Sequence, residues 1–345
     1  MIGSCLSSLS ALGLGVAVLC LLGQEGPPAS QPEHDLPEGP GLAAEHPADR
    51  GIAHDPHVIY ATGFESGIEK PLRTRRRGVS IVKDAAIART GGAAARIVAT
   101  RDKDEGGDLR VQWDKGVEQA FMRVYVRFDK DTAMPHHFIN LGGNTPTYKY
   151  RWGGAAGLCP PGDEHGAFNT TLEPPKTPKG RWHFYTYWHE MRSWQTPAGR
   201  PDGRPNAYYG NVFQSLRPTP RLERDTWVCL ELMVKLNTIG KRDGEMALWV
   251  DGKAYGHWRP GSPEGRWLRQ VFYTEGRYAK DPQPFEGFSW RTHPSLKINR
   301  ATLQWYLSER SYRGTNVEKH IVYFDNLVIA TRYIGPIAEA KGPKH

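Results

Sequence analysis

Cysteine is scarce in this chain. Four occur in 345 residues, and only Cys159 and Cys229 lie beyond the apolar segment near the start. Neither belongs to a CxxC, so a metal or dithiol redox site has no support. In an exported chain the two could form one disulfide, and free thiols fit as well. Other signatures are also missing. His189-Glu190 is followed by Ser193 instead of a second His, so there is no HExxH zinc motif. Neither GxSxG nor GxxxxGK[ST] occurs, and zinc-finger spacing, basic-region heptads and an RNA-recognition signature are absent. No repeat of fixed period is found. No segment after residue 55 keeps a helical apolar period.

A carboxylate pair of the glycosidase kind is missing too. Such enzymes need an acid and a nucleophile or base roughly 5–10 Å apart. The nearest match, Glu223 and Asp225, sits in a polar turn before a strand. Glycoside hydrolysis is therefore disfavoured.

What is present points to strands and turns. The chain has 38 Gly, 27 Pro and 11 Trp, a composition suited to short strands. Candidate strands come steadily from His57. In Ala120–Phe128, Met122, Val124, Val126 and Phe128 alternate with Arg123, Tyr125 and Arg127. In Trp227–Asn237, Val228, Leu230, Leu232, Val234 and Leu236 alternate with Glu231, Met233, Lys235 and Asn237. Leu296–Ser308 sets Leu303, Trp305 and Leu307 against Gln304 and Tyr306. Asp251-Gly252 marks a hairpin turn. About a dozen antiparallel strands with one polar face predict an all-β sandwich of two stacked sheets. Residues 142–180 read as a long Gly/Pro loop, and Arg73–Arg77 as a solvated basic loop.

The stretch Arg181–Met191 carries the most chemistry. With period two, Trp182, Phe184, Thr186 and Trp188 form one face, and His183, Tyr185, Tyr187 and His189 the other. Four groups able to exchange protons or hydrogen bonds would share one side of a sheet.

Charge and the N-terminus bound the partner and compartment. The net charge is +8, which favours an acidic polymer. The basic run lacks the interleaved aromatics of a nucleic-acid groove, so no nucleic acid is expected. Residues 6–22 are apolar and small, short for a membrane span, and precede a Pro/Gly/Glu-rich stretch. No Lys or Arg precedes them, a departure from the usual signal pattern. Leu19 before Cys20 disfavours lipidation. The division expected is a signal peptide or anchor over 1–23, a disordered linker over 24–56 and one β domain over 57–345. A secreted, periplasmic or cell-surface monomer follows, touching a membrane only through its first segment.

A lyase acting on a uronate removes the C5 proton and protonates the leaving glycosidic oxygen. It needs a base, an acid, and a cation or amide to neutralise the carboxylate. Candidates are Tyr185, Tyr187, His183 and His189 for proton transfer. Arg123, Arg127, Lys235, Gln304, Tyr306 and His137 are candidates for binding.

Several motifs together resemble a known family. His137-Phe138 with Leu141-Gly142-Gly143 and Trp152-Gly153-Gly154 is similar to a Gly-rich strand and loop. Phe184-Tyr185-Thr186-Tyr187 is similar to a Tyr-x-Tyr strand. Trp227–Asn237 with Asp243-Gly244 and Trp249–Gly252 resembles a hairpin, and Tyr323-Phe324-Asp325-Asn326 a closing strand. These resemble the β-jelly-roll polysaccharide lyases of the concanavalin A-like class, most like family 14 and the glucuronan lyases. The resemblance implies a jelly roll of two antiparallel sheets and a catalytic role for Tyr185 and Tyr187. In that family a Lys follows the Gly-Gly; here Asn144 stands there, with Lys149 and Arg151 as nearby substitutes. The expected activity is β-elimination on an acidic polysaccharide, with no cofactor beyond a structural calcium ion at Asp325 and Asn326. The alternatives are a non-catalytic binding module of the same fold and a surface-anchored structural protein.

Overall fold

The structure is a computed structural model that describes residues 36–75, 78–150, 156–176, 180–196 and 207–339. Among them, three 3-10 turns occupy Gly41–Ala44, Pro47–Asp49 and Ile52–His54. In chain order the first strands are β1 (Val58–Thr62), β2 (Arg73–Arg75), β3 (Val79–Lys83), β4 (Ala93–Thr100), β5 (Gly106–Val117) and β6 (Gln119–Phe128). Then come β7 (His137–Asn144), β8 (Ala167–Glu173), β9 (His183–Tyr187), β10 (Asn211–Gln214), β11 (Trp227–Lys235) and β12 (Glu245–Val250). The last are β13 (Lys253–Trp258), β14 (Glu264–Leu268), β15 (Val271–Tyr273), β16 (Gln283–Pro284), β17 (Ile298–Tyr306) and β18 (Lys319–Ala330).

The strands form two sheets, as the alternating pattern predicts. One runs β13-β12-β11-β6-β18-β4-β3, with β1 also on β18; the other runs β16-β14-β15-β10-β9-β8-β7-β17-β5-β2. Pairing is antiparallel except between β10 and β15. The inward residues of β6 and β11 meet Phe138, Leu141, Phe168, Leu172, Phe184, Leu303 and Trp305 of the second sheet in one core. Each such side chain stabilises the fold by roughly 1.5–3 kcal/mol on burial. The chain is an all-β jelly-roll sandwich.

Three expectations need correction. The long loop over 142–180 contains β8, whose Phe168, Thr170 and Leu172 point inward. Arg73–Arg75 is not loop but an exposed edge strand on β5. Residues 36–56, placed in the disordered linker, are folded onto the outer face of the first sheet. Leu42 and Ile52 are buried there with Trp249 and Tyr333. Trp249 Nε1 donates to Pro37 O at 2.8 Å, and Leu42 N to Tyr333 O at 3.1 Å. A few apolar anchors and backbone bonds outweigh a composition that reads as disordered. Cys159 and Cys229 are free thiols. Residues 1–23 lie outside the described residues. Among the described residues, no helix is long and apolar enough to cross a membrane.

Candidate functional site

The second sheet presents one polar face outward, built from β5, β7, β8, β9 and β17. Register sets its rows. Tyr187 stands opposite Asn169, Tyr185 opposite Thr171, and His183 opposite Glu173. On the next strands Asn140 faces Thr171 and Thr302, while Gly142 faces Asn169 and Arg300. Beyond them Arg110 faces Thr302, and Asp108 faces Gln304.

Glu173 is the centre of the first row. It is 3% exposed, with Oε1 3.0 Å from His137 Nδ1 and Oε2 3.4 Å from His183 Nε2. Burial pushes its carboxyl up, but the bonds from the two histidines win and hold it at about 2. An ionised carboxylate only accepts, so the facing nitrogens carry the protons. His137 therefore turns Nε2 away from Glu173. Its ring stacks on Tyr306 (5.8 Å, 19°) and lies 5.5 Å from Tyr185. The position before it, His136, packs 4.4 Å from it.

Tyr185 and Tyr187 meet edge to face at 5.6 Å. Burial raises both phenols, and the bond between their hydroxyls lowers Tyr185 while it raises Tyr187. Tyr187 is 8% exposed, although its strand turns it away from the sandwich interior. The segment Tyr209–Gly210 packs against its neighbour Tyr185: a Cβ at Gly210 would lie 2.3 Å from the Tyr185 ring. Trp194 and Tyr209, each 37% exposed, pack 5.2 Å apart at this rim. Such an exposed aromatic pair can stack on a sugar ring.

Arg300 supplies the cation of the face. Its side chain crosses β7 above Gly142 and donates to Phe168 O at 3.0 Å. A Cβ at Gly142 would stand 3.0 Å from Arg300 Nη2 and 2.5 Å from Phe168 O, so only glycine allows this crossing. Arg300 is 1% exposed, and among the described residues no carboxylate pairs with it. Burial lowers its pKa to about 10. Beside it, Asn140 Oδ1, Asn169 Oδ1 and Arg300 Nε are buried with no hydrogen-bond partner. Buried polar atoms are usually satisfied, so this cluster keeps two amide acceptors and one guanidinium donor unused among the described residues.

The sequence-predicted residues divide between the two sheets. Tyr185, Tyr187, His183, His137, Gln304, Tyr306 and Asn144 share the polar face. Asn144 is occupied locally: its Nδ2 donates to Thr145 O at 3.1 Å, and Asn299 Nδ2 donates to its backbone O at 2.8 Å. Lys149 sits over the Tyr150 ring, and Arg151 and Trp152–Gly154 lie outside the described residues. His189 is past the end of β9, with Nε2 3.1 Å from Ser289 Oγ; burial lowers its pKa.

Arg123, Arg127 and Lys235 belong elsewhere, which corrects their assignment to this face. They lie on β6 and β11 of the first sheet. Arg123 is fully buried, and its Nη1 donates to Asp49 Oδ1 at 3.2 Å. Arg127 pairs with Asp225 at 3.6 Å and Lys235 with Glu245 at 2.7 Å. Their strands do present an outward polar face, but it is the opposite outside of the sandwich.

Sequence reasoning missed Glu173, Arg300, Asn140, Asn169 and the Asp108–Arg110 ion pair, 2.6 Å between Oδ1 and Nε. The signal for Glu173 was the alternation of Phe168, Thr170 and Leu172. The signal for Arg300 was the outward series ending in Gln304 and Tyr306, extended back four residues. At Asp325, Oδ2 accepts from Arg89 N at 2.8 Å and Oδ1 from Asn326 N at 2.7 Å. Those bonds make it a staple between loops, and burial raises its carboxyl to about 7. Among the described residues, no group of three or more His, Cys, Asp or Glu is placed to hold a metal ion.

No family model and no curated protein matches this chain. Among solved structures, alginate lyase vAL-1 from Chlorella virus aligns over 79% of this chain and 99% of its own, at 14% identity and a TM-score of 0.50. Also similar are the marine PL-14 alginate lyase from Aplysia kurodai (17% identity, 76% and 91% covered, TM-score 0.47) and the endo-β-1,4-glucuronan lyase of the fungus Trichoderma reesei (13%, 87% and 96%, 0.42). The first likeness shows a shared fold, the jelly-roll sandwich that such lyases use.

Proposed function

We propose that the protein is a polysaccharide lyase that cleaves a uronate polymer by β-elimination. The observation that carries the reading is the convergence of Glu173, His137, His183, Tyr185, Tyr187 and Arg300 on one face. In this reading His137 Nε2 takes the C5 proton, and Glu173 stabilises the resulting imidazolium. The C5 electrons form the C4–C5 double bond, and the C4–O bond breaks toward the leaving oxygen. Tyr187, kept protonated by its surroundings, gives that oxygen its proton, with Tyr185 orienting the phenol. Arg300, buried beneath Asn140 and Asn169, supplies positive potential to the carboxylate and to the developing enolate. The elimination is driven by acid–base catalysis, changes no oxidation state and calls on no cofactor.

The acidic substrate also suits the +8 charge of the chain. The fold of an alginate lyase, shared at a TM-score of 0.50, is compatible with the same chemistry. Export, to the periplasm, the cell surface or the medium, belongs to the same proposal and rests on the apolar run at 6–22. A monomer suffices, because every group of the site comes from one chain. The second reading is a binding module. What favours it is the uncharged, locally bonded Asn144 where the family carries Lys.

One assay separates them. The protein is incubated with alginate, glucuronan and related polyuronates while the ultraviolet absorbance of the unsaturated product is followed. Rising absorbance on one of them supports the lyase. Retained binding with no absorbance change on any of them leaves the binding module.

A further inference from the structure

Past the start of β7 the polar face gives way to a cavity of about 310 Å³, lined by Thr132, His136, Lys176, Arg224, Arg310 and Arg313. It adjoins the proposed site directly. His136 contributes one wall, and its ring packs 4.4 Å from His137 and 5.6 Å from Tyr306.

The charge of this cavity is one-sided. Lys176, Arg224, Arg310 and Arg313 line it against one carboxylate, Asp131. Among the described residues none of these four cations forms an ion pair. Two lining atoms, Arg224 Nη1 and Thr132 Oγ1, are buried and have no hydrogen-bond partner. Solvated surface arginines hydrogen-bond water and lose little by being unpaired. A buried guanidinium nitrogen and a buried hydroxyl do lose, by about 1–3 kcal/mol each in general. A ligand that brings anionic oxygens would recover that loss. Burial also lowers the Arg224 pKa.

We propose that this cavity is a distal subsite that takes the carboxylate of a further uronate unit, beyond the unit at Tyr187 and His137. The inference rests on the lyase reading for the identity of the polymer. It adds a chain-length requirement: long polyuronates reach the cavity, and the shortest oligouronates do not. Arg310 and Arg313 act on affinity alone, since neither touches the reacting unit.

The test is the double variant Arg310→Ala/Arg313→Ala, with Arg221→Ala/Arg332→Ala as a control of equal charge loss. Turnover and calorimetric binding are measured on polyuronate and on di- and trisaccharides. Binding is repeated in the Tyr187→Phe background, where cleavage does not interfere. The expected result is a rise of about ten-fold in KM and Kd on the polymer, with kcat and short-substrate KM unchanged. The control should move neither. Equal loss in the control, equal loss on short substrates, or no loss on the polymer would each overturn the subsite. If the wild type binds polyuronate without cleaving it, and the double variant binds it more weakly, the subsite stands and the elimination reading falls. If the wild type binds no polyuronate, the subsite falls as well.

Discussion

Glu173 Oε1 sits 3.0 Å from His137 Nδ1, and this one contact organises the polar face. It selects the tautomer of His137 and leaves the other ring nitrogen to the cleft. It also explains how a carboxylate that is 3% exposed stays ionised.

Glu173→Gln is expected to lower kcat by 10²-fold or more, about the general contribution of acid–base catalysis. The fold should survive, because the amide keeps the shape. Steady-state kinetics beside a circular dichroism melt checks this. A variant with full kcat would remove His137 from the mechanism.

Glu173 also couples stability to pH. Its carboxyl lies at about 2, against 4.5 ordinarily. A depressed pKa contributes stability that is complete above the unfolded value and is lost as pH falls through the folded one. Melting temperature should therefore decline as pH drops from about 4.5 toward 2. The decline should be shallower in Glu173→Gln. Parallel acid limbs in the two proteins would show that other carboxylates control it.

Tyr187→Phe is expected to abolish most turnover, by roughly 10²–10⁴-fold, while binding of polymer persists. Burial keeps this phenol protonated well above its ordinary range. Activity should show no alkaline loss from Tyr187 near pH 10, the free phenol value. A wild-type profile that falls there, and a Tyr187→Phe profile that does not, would contradict the assignment.

Arg300→Met separates stability from function. Replacing a buried, unpaired cation with an apolar side chain is neutral or stabilising, on the order of 1 kcal/mol. Yet the positive potential beneath Asn140 and Asn169 is lost, so kcat should fall. Urea unfolding and turnover, measured together, give the answer. A strongly destabilised variant would mean that the guanidinium is structural.

Asp49→Ala tests the folded segment 36–56. It leaves Arg123, which is fully buried, without its carboxylate. The expected cost is about 3–5 kcal/mol, read by denaturant unfolding, and kcat should not change, because the pair lies on the other sheet. A cost below about 1 kcal/mol would match an exposed pair and would count against a tight strap.

Much of the fold was legible locally. The two-sidedness of β6, β11 and β17 is visible in alternation, since a half-buried strand needs apolar residues at every second position. The Tyr185/Tyr187 face followed from the same rule. β8 was hidden because its seven residues stand between Gly- and Pro-rich flanks that read as loop. The segment 36–56 was hidden because composition reports an average, whereas Leu42, Asp49 and Ile52 act as single anchors.

The sequence by itself determined which side chains share a face of a strand. It could not determine which sheet each strand joins. Arg123 and Tyr185 both point outward from their strands, yet they end on opposite outsides of the sandwich. The reason is physical. Side-chain alternation is set by the backbone of one strand, over neighbouring residues. Sheet membership is set by ladders between distant segments, such as β6 with β11 and β18, and β9 with β8 and β10. Only those tertiary pairings brought Glu173 between His137 and His183, and carried Arg300 across Gly142 to Phe168.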